Sequence, residues 1–302
     1  MTKVPTVALP HGTVILDGGM GQEIIRRGVK QRDGLWSASA LIEAPQVVRA
    51  IHEDYIRAGA RVITTNTYVT ARTRLKIAGI PERFAELNRL AGDLARQARD
   101  ACGEAVLIAG SLPPLYASYR PDLVRGFEIS EPCYREMAEL LAPYVDLFLC
   151  ETMSSGDEAL AAVCGAKPTG KPVWVAWTLA DGGADVLRSG ETIAEAVSVL
   201  DGQPVSAFLA NCCSPESITA AMPQLVALDR GPVGGYANGF VDIPPDIDVR
   251  NNLPAARGDL DPEAYLGHAA HWVDAGARLV GGCCEVGPAH IARLAEAFAA
   301  LA

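Results

Sequence analysis

No run of about 18 uninterrupted apolar residues occurs in the 302-residue chain, so nothing in it reads as a membrane-spanning helix. This holds although the mean hydropathy, +0.15, is high. The first residues, "MTKVPTVALPHG", carry two prolines and no long apolar core, so they do not read as a secretory signal, and a cytoplasmic protein is expected. Clusters of positive charge are also missing. The net charge is −10, and the densest basic stretch, "RRGVKQR" at 26–32, is short. Nucleic acid and anionic membrane surfaces are therefore excluded as partners. No GxGxxG turn follows the first strand-like run, since "LDGGMGQE" has glycines at another spacing, and there is no P-loop. No linker and no low-complexity segment divides the chain, so one domain over 1–302 is expected.

What is present is an alternation. Short apolar, β-branched runs fall at 13–19, 61–68, 105–112, 145–152, 173–180, 205–212, 232–239 and 277–284. The middle runs do not alternate strictly, as befits strands covered on both faces. Amphipathic segments lie between them, at 44–60, 81–101, 132–142, 157–167, 192–200, 215–228, 261–275 and 289–301. Ser214-Pro215-Glu216 and Asp261-Pro262-Glu263 have the form of helix starts, a cap followed by proline in the first turn. Eight strands alternating with eight helices predict an α/β fold, a single (β/α)8 TIM-type barrel; an open doubly wound sheet is the alternative. Long connections at 18–43, 113–131 and 240–260 follow strands, which puts them on the face where such barrels carry their chemistry.

The residues ending the strands are then the ones to inspect: Asp17, Asn66, Thr67, Ser111, Glu151, Thr178, Asn211, Cys212, Asn238, Cys283 and Cys284. Of the eight cysteines, Cys102, Cys133, Cys150 and Cys164 stand singly and read as small buried hydrophobes. The other four come in pairs. Strands six and eight are two apart in a closed barrel, so either Cys212 or Cys213 faces Cys283 and Cys284 across the mouth. Three thiolates with one open position suit Zn2+, which takes four ligands in a tetrahedron and keeps a vacancy when it is catalytic. The competing reading makes all four paired cysteines small core residues. Adjacent strand residues point to opposite faces, so the strand must break for Cys283 and Cys284 to share an ion. Gly281 and Gly282 supply backbone freedom and room for that. A hydrolase with metal-bound water is disfavoured, because no histidine ends a strand: His52, His268, His271 and His290 fall in helical segments, and His11 precedes the first strand.

"LDGGMGQEI", "LWSASAL", "HEDYIRAGARVITTNTY", "FLCET", "ANCC" and "GGCC", spread from about residue 13 to 300, together resemble the homocysteine S-methyltransferase family. The resemblance implies a zinc-dependent barrel that methylates homocysteine to methionine. It makes Cys212, Cys283 and Cys284 the ligands, with Cys213 an extra thiol that is not one. It also places Asp17 and Glu151 at the homocysteine site, where they hold its ammonium group. Asn211 and Asn238, the latter in "GYANG", are candidates for hydrogen bonds to the substrates. A sulfonium donor, S-methylmethionine or S-adenosylmethionine, suits an anionic site, because its charge disappears on transfer. Trp36, Tyr68, Tyr116, Tyr119, Trp177 and Tyr236 are candidate walls for such a cation. Betaine-using relatives tend to carry tyrosine after the glutamate that ends strand four; Thr152 stands here, which lowers that alternative. Glu285 follows "GGCC" where many members have glycine, which puts an acid beside the expected metal. A non-catalytic zinc- or thiol-binding barrel is the remaining alternative.

Overall fold

The computed structural model describes residues 4–32, 34–183, 185–244, 247 and 254–299. Both ends of the expected domain, the last residues of the expected helix at 289–301 and part of the 240–260 connection lie outside the described residues.

Each of the eight apolar runs contains a strand: β1 (Val14–Ile15), β2 (Val62–Thr64), β3 (Leu107–Leu112), β4 (Leu147–Met153), β5 (Val173–Trp177), β6 (Val205–Asn211), β7 (Val233–Ala237) and β8 (Leu279–Gly282). All pair in parallel in one sheet, ordered β1-β8-β7-β6-β5-β4-β3-β2. The two edges meet through a Leu16–Val62 bridge, with Arg61 N–H donating to Ile15 O at 2.7 Å and Asp17 N–H to Val62 O at 3.0 Å. The sheet is thus a nearly closed (β/α)8 barrel, as expected.

The helices are α1 (Met20–Arg26), α2 (Ser39–Glu43), α3 (Pro45–Arg57), α4 (Arg72–Ile77), α5 (Phe84–Cys102), α6 (Phe127–Leu141), α7 (Gly156–Ala166), α8 (Ile193–Ser198), α9 (Pro215–Ala227), α10 (Pro262–Asp274) and α11 (Pro288–Ala299). No helix among the described residues is long and apolar enough to cross a membrane. α9 and α10 begin as their sequences predict: the Ser214 side chain accepts from Ser217 N–H, and that of Asp261 from Ala264 N–H. α6 begins five residues before Pro132, the start expected from the sequence. The proline sits inside the helix and removes one backbone donor.

Two apolar compartments result. Inside the barrel, Val14, Leu16, Leu147, Leu149, Trp174 and Leu209 pack together. Between sheet and helices lie Phe148, Cys150, Trp177, Phe208 and the inner faces of the helices. The alternation along β4 follows the two-residue period of a strand: Leu147 and Leu149 point in, Phe148 and Cys150 out. Glu151 continues the inward series at the strand's C-terminal end, so the pleat itself delivers a carboxylate to the barrel mouth.

Candidate active site

A cavity of about 380 Å³ opens at the C-terminal ends of the strands. Asp17, Glu151, Cys212, Cys283 and Cys284 border it. The three cysteine sulfurs lie within 4.8 Å of one another and form a group able to hold a metal ion. Cys283 Sγ is 2.8 Å from Cys212 Sγ, and the Tyr119 hydroxyl is 3.0 Å from Cys212 Sγ on its other side. Thiols of Cys283 and Cys284 and the Tyr119 hydroxyl donate to Cys212, which holds its thiol well below the usual range against the opposing effect of burial. The donor set fits zinc: sulfurs bound at about 2.3 Å in a tetrahedron stand about 3.8 Å apart, inside the observed spread.

Backbone conformation explains how neighbouring residues divide. Cys212 has φ +52°, in the left-handed region, immediately after β6. That turn sends its sulfur into the cavity, while Cys213 points into the compartment between sheet and helices. Burial pushes the Cys213 thiol up, and it does not belong to the three-sulfur group. After β8 the strand does break, and its glycines supply the expected room but not the expected backbone freedom. The left-handed residue is Glu285 (φ +66°), and Gly281 and Gly282 lie outside that region. They serve by close approach: a Cβ on Gly281 would lie 2.6 Å from Leu16 Cβ, and one on Gly282 2.0 Å from Val286 Cγ1. The left-handed conformation also accounts for glycine being the easy choice at position 285. The Glu285 carboxylate turns away from the cavity to an ion pair with Arg26 at 2.5 Å. Among the described residues six non-glycine positions have φ above zero, and Trp36, Tyr119, Thr152, Cys212 and Glu285 are five of them. Strained backbone of this kind concentrates at functional sites.

Both buried carboxylates are shifted. Asp17 accepts from Thr64 N–H at 2.7 Å and from the Thr64 hydroxyl at 3.1 Å. Burial nevertheless pushes it up to about 8, with a smaller contribution from the facing charge of Glu151. Burial likewise pushes Glu151 up to about 7, although the Ser111 and Tyr236 hydroxyls donate to it. Near neutral pH an unliganded mouth therefore holds Asp17 mostly protonated and Glu151 about half so.

Other sequence candidates lie elsewhere. Asn211 does not border the cavity: its Oδ1 accepts from Thr152 N–H at 2.8 Å, and its Nδ2 donates to Thr152 Oγ1 at 2.9 Å. The Oδ1 of Asn238, also away from the cavity wall, accepts from Phe240 N–H at 3.1 Å. Trp36, Tyr68, Tyr119 and Tyr236 do border the cavity, with Trp36 and Tyr68 edge to face at 6.0 Å. Trp177 instead stacks on Phe208 outside the barrel, and Tyr116 lies under the Arg125 guanidinium. Sequence reasoning missed a buried ion pair behind the site. Arg188 contacts Asp181 at 2.7 Å and lies 4.9 Å over the Tyr119 ring. Asp181 also accepts from Ser214 N–H and Ile243 N–H. Arg188 and Asp181 share the loop after β5, but their partners Ser214, Ile243 and Tyr119 lie in three other loops, so no local motif announces the arrangement.

Fold and site define a class of protein: a parallel (β/α)8 barrel whose mouth joins a three-cysteine, metal-competent cluster to two buried carboxylates. Residues 14–298 match the homocysteine S-methyltransferase family, and the chain belongs to it. It is 34% identical to the homocysteine S-methyltransferase of Escherichia coli (strain K12), over 93% of this chain and 94% of the relative. Identity to homocysteine S-methyltransferase YbgG of Bacillus subtilis (strain 168) is 30%, over 98% and 97%. Among solved structures, the metallated form of the homocysteine methyltransferase MmuM from Escherichia coli superposes with a TM-score of 0.80 at 31% identity, covering 95% of this chain and 96% of that one. The chain is accordingly an enzyme of the methyltransferase class.

Proposed function

We propose that the protein transfers a methyl group from a sulfonium donor, S-methylmethionine or S-adenosylmethionine, to the thiol of homocysteine, giving methionine, and that Cys212, Cys283 and Cys284 hold a zinc ion for this reaction. The observation that carries the proposal is the convergence of three thiols and two buried carboxylates on one cavity. When bound, zinc supplies the charge that keeps an incoming thiol ionised at neutral pH.

The chain's own residues do the rest. Asp17 and Glu151 hold the acceptor's ammonium group, and its charge draws both carboxyls back to the ionised state. Thr64 and Ser111 fix these carboxylates through their hydrogen bonds. Trp36, Tyr68, Tyr119 and Tyr236 give the sulfonium an aromatic surround that attracts a cation and excludes water. The anionic floor of thiolates and carboxylates favours a cationic donor over a neutral one. Methyl transfer turns the sulfonium into a neutral thioether, which that floor no longer attracts, so product departs. The modest cavity volume favours the more compact S-methylmethionine.

The test pairs metal analysis with product detection. One zinc per chain, and methionine formed from homocysteine with S-methylmethionine, are expected. Zinc-loaded protein inert with both sulfonium donors contradicts the assignment of activity; reduced protein that binds no zinc contradicts the ligand assignment.

A further inference from the structure

The cavity has two chemically different sides. Its floor, made by the strand ends, carries Asp17, Glu151 and the thiols. The wall made by α1, the loop after it and α4 carries Gln22, Gln31, Arg32 and Arg74. Gln22 is only 3% exposed, yet among the described residues neither its Nε2 nor its Oε1 has a hydrogen-bond partner. Gln31 Nε2 and the indole Nε1 of Trp36 are buried and unpartnered as well. All three residues line the same cavity, and Trp36 packs against α1. A Cβ on Gly21, the residue before Gln22, would lie 2.6 Å from Trp36 Cε2, the atom that bears the indole nitrogen. Native proteins pair buried polar groups almost without exception, so unpaired ones lining a cavity mark the polar atoms of its ligand.

We infer that Gln22 and Gln31 read the head group of the methyl donor, forming a subsite for a zwitterionic α-amino acid on the cavity wall. A carboxamide offers a donor and an acceptor together. Nε2 of each glutamine and the Trp36 N–H suit a carboxylate, and Oε1 of Gln22 suits an ammonium. Arg32 on the same wall is ion-paired with Glu43, and Arg74, 5% exposed, donates to Tyr116 O at 2.6 Å, so recognition of the carboxylate end falls to the glutamines and the Trp36 N–H. The sulfonium end of such a molecule then points to the anionic floor. The acceptor's sulfur and ammonium already occupy that floor, so the wall serves the second substrate. The inference rests on the proposed sulfonium-to-thiol transfer and assigns this chain's own residues to the amino-acid head of its donor.

The test uses the zinc-loaded full chain with two donors, S-methylmethionine and trimethylsulfonium, which has no head group. Calorimetric titration with S-methylmethionine runs alongside. Gln22→Leu and Gln31→Leu each remove a polar contact and are expected to lower the ratio of kcat/KM for S-methylmethionine to that for trimethylsulfonium about tenfold. The KM for homocysteine stays put, and the Kd for S-methylmethionine rises by a similar factor. Gln31 lies in a half-exposed loop, so its variant tests the subsite even if the Gln22 variant folds poorly. An unchanged donor ratio overturns the subsite, and so does a rise in homocysteine KM in its place. Methionine formation that is indifferent to both glutamines leaves the transfer reading standing and removes the subsite. Glutamine-dependent binding of S-methylmethionine without turnover does the reverse.

Discussion

Asn211 and Thr152 show how single side chains set this site. Their two reciprocal hydrogen bonds join the residue before Cys212 to the residue after Glu151. Thr152 and Cys212 both hold left-handed backbone, which the surrounding contacts must enforce. Asn211→Leu should cost about 1–3 kcal/mol, because Thr152 N–H is left buried without an acceptor. Thermal unfolding measures that loss, and zinc content at a fixed chelator concentration should fall with it. For the cysteines, Cys213→Ser should keep the metal and Cys212→Ala should lose it, as read by metal analysis. Loss of metal from the serine variant would show that the wrong neighbour carries the ligand. Asp17, pushed up to about 8, stays protonated at neutral pH until an ammonium group arrives. Calorimetry of homocysteine binding at pH 7 in buffers of different ionisation enthalpy should therefore show about one proton fewer released by Asp17→Asn than by wild type. Asp17, Glu151 and the three cysteines were legible because they end apolar runs within a recognisable family pattern. The Asn211 clasp was not, since its partner lies 59 positions away and nothing local distinguishes it from an asparagine facing the substrate.

Among the elements, strands were easier to read than the loops above them. Each of the eight runs holds a strand because burial on both faces leaves an unbroken apolar signal. The expected long connection at 18–43 contains α1 and α2, and α4 was not foreseen at all. These helices have seven, five and six residues, too few for a 3.6-residue period to declare itself. The loops after β5, β6 and β7 are tied by Arg188 and Asp181, which are 5% and 7% exposed in their side chains. Arg188→Met should destabilise the fold by roughly 3–5 kcal/mol, since it strands the Asp181 charge in the interior. Denaturant unfolding gives that figure. Arg188 also lies over Tyr119, which contacts Cys212, so the same variant should bind zinc more weakly.

At the scale of the whole molecule, buried acids make stability depend on pH. Glu158, at the start of α7 and away from the cavity, is pushed up to about 7 by burial, against the lowering effect of Ser154. A carboxyl whose pKa is higher folded than unfolded favours folding while it is neutral. That contribution is complete below about 4.5 and is lost as pH rises to about 7. Glu158→Gln keeps the acceptor for Ser154 and removes the titration, so its melting temperature should fall less than that of wild type between pH 5 and 8. An equal fall in both would mean that Glu158 is ionised throughout. The barrel as a whole brings the ends of β1, β4, β6 and β8 to one mouth. X-ray absorption at the zinc edge, with and without homocysteine, reads out what that mouth holds. Zinc should be bound by three sulfurs in the resting protein and by four once homocysteine is added. A sulfur count that does not change on adding homocysteine would contradict that coordination.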